Sequence, residues 1–493
     1  MIHVNYAHML INKSDKNALY YNTQEKRDTM ADTRNDFSKG SVFKNIMSLT
    51  VPMTLAQLIN VLYSIVDRIY IGRIPDVAIA SLTGVGLCLP VVSIVMAFAN
   101  LFGMGGAPLC SIERGRGDLE EAEYIMGNSF IMMIIFGVAL TAAGLILKTP
   151  MLYLFGASDV TYIYADQYVT IYLLGSVFVM VGLGMNTFIN SQGFGRIGMM
   201  TVLLGAVANI ILDPIFIFVF RMGVQGAALA TIISQGLSAL WILRFLTSDK
   251  AILKLKISRF RLQKSRVLSI IGLGLSGFTM SFTNSLVQIT GNASLQKFGG
   301  DLYVGIMTVV NAVREVFSMP INGLNNGAQP VIGFNYGAGE YDRVKRSIVI
   351  TSLIAIIYTT AAWAAINAFP GFLIRIFDQE GELLAEGIPA MRIYYFGFFM
   401  MALQIAGQTA FVGLGKSKRA VFFSLFRKVI IVVPLTLILP HMFGLGTTGV
   451  FLAEPISNFI GGAACYITML LTIWPELNRK KKEKECLAKA AEA

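Results

Sequence analysis

The sequence is dominated by apolar runs that are long enough to cross a lipid bilayer. About twelve such runs can be counted, and Leu87–Leu109 and Thr201–Phe220 are two of them. A helix needs roughly 20 apolar residues to cross about 30 Å of hydrocarbon. Inside a membrane the backbone must satisfy its own hydrogen bonds, which long apolar segments achieve as helices. These runs therefore predict an all-α integral membrane protein with twelve transmembrane helices.

The charge distribution supports this class and predicts an orientation. Charged residues make up only 14% of the chain, and the net charge of +11 comes from Lys and Arg that fall in loops. A nucleic-acid surface is therefore not expected. Alternate loops are the basic ones, and the richest of them is Arg244–Arg266. The positive-inside rule then predicts a multi-pass protein of the cell membrane with both termini in the cytoplasm.

The chain also contains a duplication. Gly103–Pro108 is echoed by Gly323–Pro330, and Gly223–Gly226 is echoed by Gly446–Gly449, about 221–223 residues later. Each copy holds six spans, and an even number leaves both copies in the same orientation. We therefore expect two pseudo-symmetric six-helix bundles related by an axis along the membrane normal.

These observations divide the chain into five parts, and we expect a monomer. The predicted parts are a cytoplasmic N-terminal tail at 1–40, an N-lobe bundle at 41–247, a basic cytoplasmic linker at 248–264, a C-lobe bundle at 265–475 and a cytoplasmic C-terminal tail at 476–493. The four cysteines are scattered, without metal-site or disulfide spacing. No catalytic string such as His-Glu-x-x-His is present, so an enzyme is not expected.

Ionisable residues inside the spans are the candidate functional groups, because a charge in the membrane is costly. Asp67 lies near the end of the first span. Its simplest alternative role is an interfacial pair with Arg68, but adjacent residues on a helix do not face each other. Pro52 in the same span frees the carbonyl of Ser48. It permits either a hinge or a static bend, and the sequence does not choose between them.

The fifth predicted span contains a denser polar group. Asn209 and Asp213 are four residues apart and share one helical face, and Pro214 frees the carbonyl of Ile210. A carboxylate, an amide oxygen and a loose carbonyl within one turn suit Na⁺ or a bound proton. The alternative is a polar cap where the helix breaks.

Charges also fall in the apolar surroundings of the second half. Glu315 and Arg314 are adjacent in the eighth span, and Glu454 takes the place of Thr231 in the repeat. We consider Glu315, Glu454 and Arg314 candidates for substrate contact. Neutralisation of Glu454 by Arg427 is an equally acceptable reading.

With these residues the chain resembles the multidrug and toxic compound extrusion (MATE) transporters over residues 41–475. The resemblance is carried by Val66–Arg68, Gly105–Ala107, Asn209–Pro214 and Asn326–Pro330, in this order and spacing. It implies twelve helices in two lobes and drug export coupled to Na⁺ or H⁺, with no other cofactor and no further metal.

The resemblance also implies particular residues. A cation site in the N-lobe would consist of Asp67, Asn209, Asp213 and Thr231, and Pro52 would be the kink proline of the first helix. Some members carry acids in the seventh and tenth spans, where this chain has none. Asn284 lies near the place of the first of those acids, and we include it among the candidates for substrate contact.

The function expected from the sequence is a secondary active exporter of bulky apolar or cationic small molecules, which works by alternating access. The alternative is a flippase for lipids or cell-wall precursors, which would need several Arg or Lys side chains in its cavity. A channel is a third class, but it would not need two tethered lobes with carboxylates. The sequence does not decide between Na⁺ and H⁺.

Overall fold

The computed structural model describes residues 35–75, 77–376, 381–442 and 444–492, which are helical with no β-strand in these ranges. Residues 1–34 of the predicted N-terminal tail lie outside the described residues. So do residues 76, 377–380, 443 and 493. The rest of this section concerns the described ranges.

Twelve transmembrane helices are present in the described part of the chain. Ten helices are long and apolar enough by themselves, and one bent pair with an angle of 56° adds another. The 74-residue helix Lys264–Gly337 is broken at Gly300, whose φ of 67° and ψ of −163° only glycine adopts easily, so it forms two spans. The helices are α1 Val42–Ile71, α2 Ala78–Arg116, α3 Leu119–Leu154, α4 Asp159–Leu174 with Ser176–Ser191, α5 Gly195–Val219, α6 Gly223–Leu246, α7 264–299, α8 301–337, α9 Tyr341–Ala368, α10 Glu382–Gly413, α11 Ser417–His441 and α12 Thr447–Glu492.

Several helices extend beyond the apolar runs that predicted them. The α2 run was expected to end near Pro108, but the helix continues to Arg116 and ends at Gly117, which has a left-handed φ of 80°. The residues of the predicted C-terminal tail continue α12 as far as Glu492. Helical hydrogen bonds do not require an apolar environment, so polar residues prolong these helices past the hydrocarbon.

The lobes meet through glycines near the basic loops, an end that we call the basic end. A Cβ atom on Gly115 of α2 would lie 2.0 Å from the carbonyl oxygen of Phe334 in α8. A Cβ atom on Gly337 would lie 1.9 Å from the carbonyl oxygen of Ile112. Gly115 and Gly337 occupy matching positions in the two copies, so the pseudo-twofold axis passes through this crossing. Only glycine allows the backbones to approach so closely.

A second crossing lies earlier in α2, further from the basic end. A Cβ atom on Gly105 would lie 2.2 Å from the carbonyl oxygen of Ile270 in α7. The matching contact joins Gly327 of α8 to Thr50 of α1, where a Cβ atom would lie 2.6 Å from the hydroxyl oxygen. The second helix of each lobe therefore packs against the first helix of the other lobe, and these contacts close the basic end.

The basic linker packs against the N-lobe. Ala251, Leu253 and Leu255 are buried. The carboxylate of Glu123 in α3 accepts hydrogen bonds from the backbone N–H of Lys254 at 3.1 Å and from the side chain of Lys256 at 2.8 Å. The linker is therefore held to the N-lobe by both apolar and polar contacts.

Candidate functional site

The first candidate site lies between α1 and α5 in the N-lobe. Asp67 lies near the end of α1, and its carboxyl group is close enough to that of Asp213 for the two to interact. Asn209, one turn before Asp213, donates from Nδ2 to Asp213 Oδ1 at 3.2 Å. The structure therefore brings together three of the four residues that were predicted to bind a cation.

The oxygens of this group are incompletely satisfied. Asp67 Oδ1, Asn209 Oδ1 and Asp213 Oδ2 are all buried and have no hydrogen-bond partner in the described protein. Buried oxygens without donors are costly, and two adjacent carboxylates repel each other when both are ionised. A hard cation or a proton would relieve both costs, so the donor set fits Na⁺ or H⁺.

Thr231, the fourth predicted residue, lines a small cavity beside this group. The cavity has a volume of about 40 Å³ and is lined by Asn209 as well as Thr231, together with Asn60, Tyr63 and Asn186. That volume holds a few water molecules or a partly hydrated ion, but not a drug. The sequence analysis missed Asn60, Tyr63 and Asn186, because single polar residues in a span give no periodic signal.

The local helix geometry bears on the alternatives that the sequence left open. Arg68 is exposed, whereas the Asp67 side chain is directed toward Asp213. Pro214 does not break α5, because the helix passes into a π-helical turn from Ile215 to Val219. A π-helical turn inside a span is frequent at functional sites. Pro52 lies inside an unbroken α1.

A second, much larger cavity lies in the C-lobe. Its volume is about 620 Å³, which is in the range of pockets for drug-sized molecules. Asn284, Arg314, Glu315 and Glu454, the four candidates for substrate contact, all line it. They come from α7, α8 and α12, so the structure brings together residues that lie far apart in the sequence.

Glu454 is the centre of a buried charge cluster in this cavity. Its Oε1 accepts from Arg427 at 3.1 Å and from the Lys428 ammonium at 2.9 Å. A third cation, Arg314, lies 3.7 Å away. The predicted Arg427–Glu454 pair is therefore present, but Lys428 and Arg314 share the same carboxylate.

The two lobes have different chemistry at matching positions. A shift of 223 residues carries Gly205 onto Lys428 and Thr231 onto Glu454. Gly205 and Thr231 line the small N-lobe cavity. Lys428 and Glu454 line a separate small cavity at the matching place in the C-lobe. The C-lobe thus holds a covalently attached ammonium group at the position where the N-lobe has a glycine.

Comparison with protein families identifies both halves of the chain. The model of one family, MatE, matches it twice, at residues 52–215 and 277–438. The two matches together cover more than half of the chain, and they reproduce the duplication seen in the sequence.

Individual relatives agree with the family match. The multidrug export protein MepA of Staphylococcus saprophyticus is 25% identical over 435 residues, which are 88% of this chain and 95% of that protein. The protein of the same name from Staphylococcus aureus is 26% identical over 445 residues, which are 89% and 95% of the two chains. A crystal structure of MATE in the bent conformation superposes with a TM-score of 0.85 at 23% identity, covering 92% of this chain and 99% of that one.

Proposed function

Because the chain belongs to the MatE family, we propose that it is a secondary active exporter of bulky apolar or cationic small molecules. It would exchange them for Na⁺ or H⁺ by alternating access, with the coupling ion bound at Asp67, Asn209, Asp213 and Thr231. The relatives named as multidrug export proteins support this reading. The observation that carries it is the group of three buried, unpaired oxygens at one junction of α1 and α5.

The fold offers a path from this site to the lobe interface. Asp67 lies near one end of α1, and Thr50 lies near the other, against Gly327 of the C-lobe. Binding of a cation between Asp67 and Asp213 removes their repulsion and holds α1 against α5. Release restores the repulsion and favours movement of α1. An ion can shift the lobe equilibrium only through such differential binding to the two states.

The closed basic end indicates which conformational state of the proposed transport cycle the structure represents. If the basic loops are cytoplasmic, as the positive-inside rule indicates, the glycine crossings close the cytoplasmic side. A cavity of about 170 Å³, lined by Asn100 and Asn326, borders the same helices on the far side of the crossing of Gly115 and Gly337 from the basic end. We infer that the structure is the outward-facing state of a monomer in the cell membrane.

Transport in reconstituted vesicles tests the proposal. Efflux of a fluorescent cation is measured with a Na⁺ gradient or a pH gradient imposed alone. Asp67→Asn and Asp213→Asn should abolish gradient-driven efflux at unchanged protein level. Asp249→Asn is the matched control, because this linker carboxylate has a side chain that is 99% exposed. Full activity in both site variants, or efflux in wild type that neither gradient drives, would contradict the proposal.

A flippase for lipids or cell-wall precursors is the second candidate. It was expected to need several basic side chains in its cavity, and Arg314, Arg427 and Lys428 line the C-lobe cavity. The same vesicles, loaded with a fluorescent phosphatidylglycerol, measure this activity. Gradient-independent movement of the lipid between leaflets, without dye efflux, would favour the flippase.

A further inference from the structure

The large C-lobe cavity has an excess of buried positive charge. Arg314, Arg427 and Lys428 line it, and their side chains are 22%, 11% and 3% exposed. A single carboxylate, that of Glu454, contacts all three. Glu315 also lines the cavity, but it makes no ion pair in the described part of the chain. Three basic side chains therefore share one carboxylate in this cluster.

A purely structural ion pair does not account for this arrangement. A buried charge without a partner of opposite charge is costly inside a membrane protein, and intramembrane charges normally pair with each other. One cation would suffice to neutralise Glu454. The remaining partners are neutral: Arg314 donates to the Tyr394 hydroxyl at 2.8 Å, and Arg427 donates to Asn458 Oδ1 at 2.6 Å. The cluster thus has more basic groups than Glu454 needs, and the surplus donors are available to an anion from outside the protein.

The backbone geometry holds the cations in place. Arg427 and Lys428 are neighbours in the π-helical turn Phe426–Val432, and both long side chains reach Glu454. The aliphatic part of Arg427 lies on Gly461 of α12, where a Cβ atom would be 2.7 Å from its Cγ atom. The guanidinium and the ammonium are therefore preorganised.

The same cavity also offers acceptors for a donor group. Gln404 Oε1 and Gln408 Oε1 are buried without hydrogen-bond partners, and both residues line the cavity with Glu315. An ammonium or amide N–H of a bound molecule would satisfy these oxygens. The cavity is thus complementary to a molecule that carries both a negative and a positive or donor group.

We propose that Arg314, Arg427 and Lys428 form an oxyanion site, which binds the carboxylate or phosphate of an amphoteric substrate in the C-lobe. This inference rests on the proposed function for the claim that the ligand is transported. It extends the substrate class beyond cations, since the positive end of the ligand faces Glu315, Gln404 and Gln408. The two lobes then bind opposite charges: a cation in the N-lobe and an oxyanion in the C-lobe.

Two dyes that differ by one ester test the site directly. Rhodamine 110 has a free carboxylate, and rhodamine 123 is its methyl ester. Their dissociation constants are measured by fluorescence polarisation on the purified protein, without any gradient. Arg314→Gln and Lys428→Gln should each weaken rhodamine 110 relative to rhodamine 123 by about tenfold or more, which is typical of a lost hydrogen bond to a charged group. Arg314→Lys should restore most of this ratio.

Lys418→Gln is the matched control, because Lys418 is an exposed lysine in the first turn of α11. It should leave the ratio at the wild-type value. An unchanged ratio in both Arg314→Gln and Lys428→Gln would overturn the oxyanion site. Should those variants not fold, competition in the wild type decides: benzenesulfonate should displace rhodamine 110 but not rhodamine 123, and equal effects on both dyes would overturn the site.

A further competition experiment identifies which kind of molecule supplies the oxyanion. Displacement of rhodamine 110 by phosphatidylglycerol but not by diacylglycerol would support the site with a lipid phosphate as ligand. Displacement by neither lipid would support it with the carboxylate of a drug-like molecule. This test is independent of the proposed function. If that function is wrong, gradient-driven efflux is absent, but the ratio of the two dissociation constants can still be measured.

Discussion

Replacing Gly115 with valine should open the basic end of the protein. A Cβ atom at this position would lie 2.0 Å from the carbonyl oxygen of Phe334, whereas real Cβ contacts stay above 3.0 Å. The helices α2 and α8 would have to separate by the difference, about 1.0 Å, because a backbone atom cannot rotate away. Overpacking of this kind costs about 1–3 kcal/mol. The ratio of closed to open protein should fall by roughly fivefold to 150-fold.

Thiol labelling measures this shift. A cysteine is introduced at Asn326, which lines the cavity beyond the crossing, in a background where the exposed Cys486 is replaced by serine. A membrane-impermeant maleimide added from the basic side should label the Gly115→Val protein at least fivefold faster than the wild type. Substrate efflux should fall in parallel, because the closed state becomes harder to reach.

Gly86 provides the matched control on the same helix. A Cβ atom there would meet nothing within 4 Å, so Gly86→Val tests the cost of valine in α2 without a clash. It should label and transport like the wild type. The reasoning is refuted if Gly115→Val labels no faster than Gly86→Val and both variants export normally.

Three further predictions follow from contacts described above or from the same structure. Arg343 donates to the backbone carbonyls of Phe37 and Gly40 at 2.8 and 3.0 Å, so Arg343→Ala should destabilise the closed basic end by about 2 kcal/mol, seen as faster labelling than in the exposed control Arg346→Ala. Glu123→Ala should release the linker from the N-lobe, seen as faster hydrogen exchange in residues 251–256 while the exchange of α12 is unchanged. Asn209→Ala should raise the ion concentration for half-maximal efflux by about tenfold, because a neutral ligand is lost while both carboxylates remain; an unchanged ion dependence would remove Asn209 from the site.

The sequence predicted the twelve spans well, because apolar length is a local property. It predicted the helix ends less well: Glu113–Asp118 is polar and contains two glycines, which in a sequence resembles a loop, yet α2 continues to Arg116. The helix persists there because α2 packs against α8 beyond the apolar region, and such a tertiary contact leaves no local signal.

The candidate sites were likewise predicted only in part from the sequence. The proximity of Asp67 and Asp213 was expected from the family resemblance, and Asn209 from its spacing to Asp213. The convergence of Arg314, Arg427 and Lys428 on one carboxylate was not expected. Adjacent residues on a helix point in different directions, and both side chains meet here because Glu454 of α12 packs between them, a tertiary contact with no local sequence pattern.

The ammonium of Lys428 has a consequence for the thermodynamics of transport. An ammonium that is part of the chain cannot leave the protein as a bound Na⁺ can, so Lys428 adds no exchangeable Na⁺ to the C-lobe. With Na⁺ as the coupling ion, the proposed cycle then exchanges only the ion bound in the N-lobe, taken as one Na⁺ per substrate. A tenfold ion gradient then supplies about 1.4 kcal/mol, and a membrane potential of about 100 mV supplies about 2.3 kcal/mol more for each net charge moved. A monocationic substrate exchanged for one cation moves no net charge and is limited to about a tenfold concentration ratio. An amphoteric substrate of zero net charge also uses the potential, which raises its limit to roughly 500-fold. For an exchange of one Na⁺ per substrate, the net charge of the substrate therefore sets how far it can be concentrated.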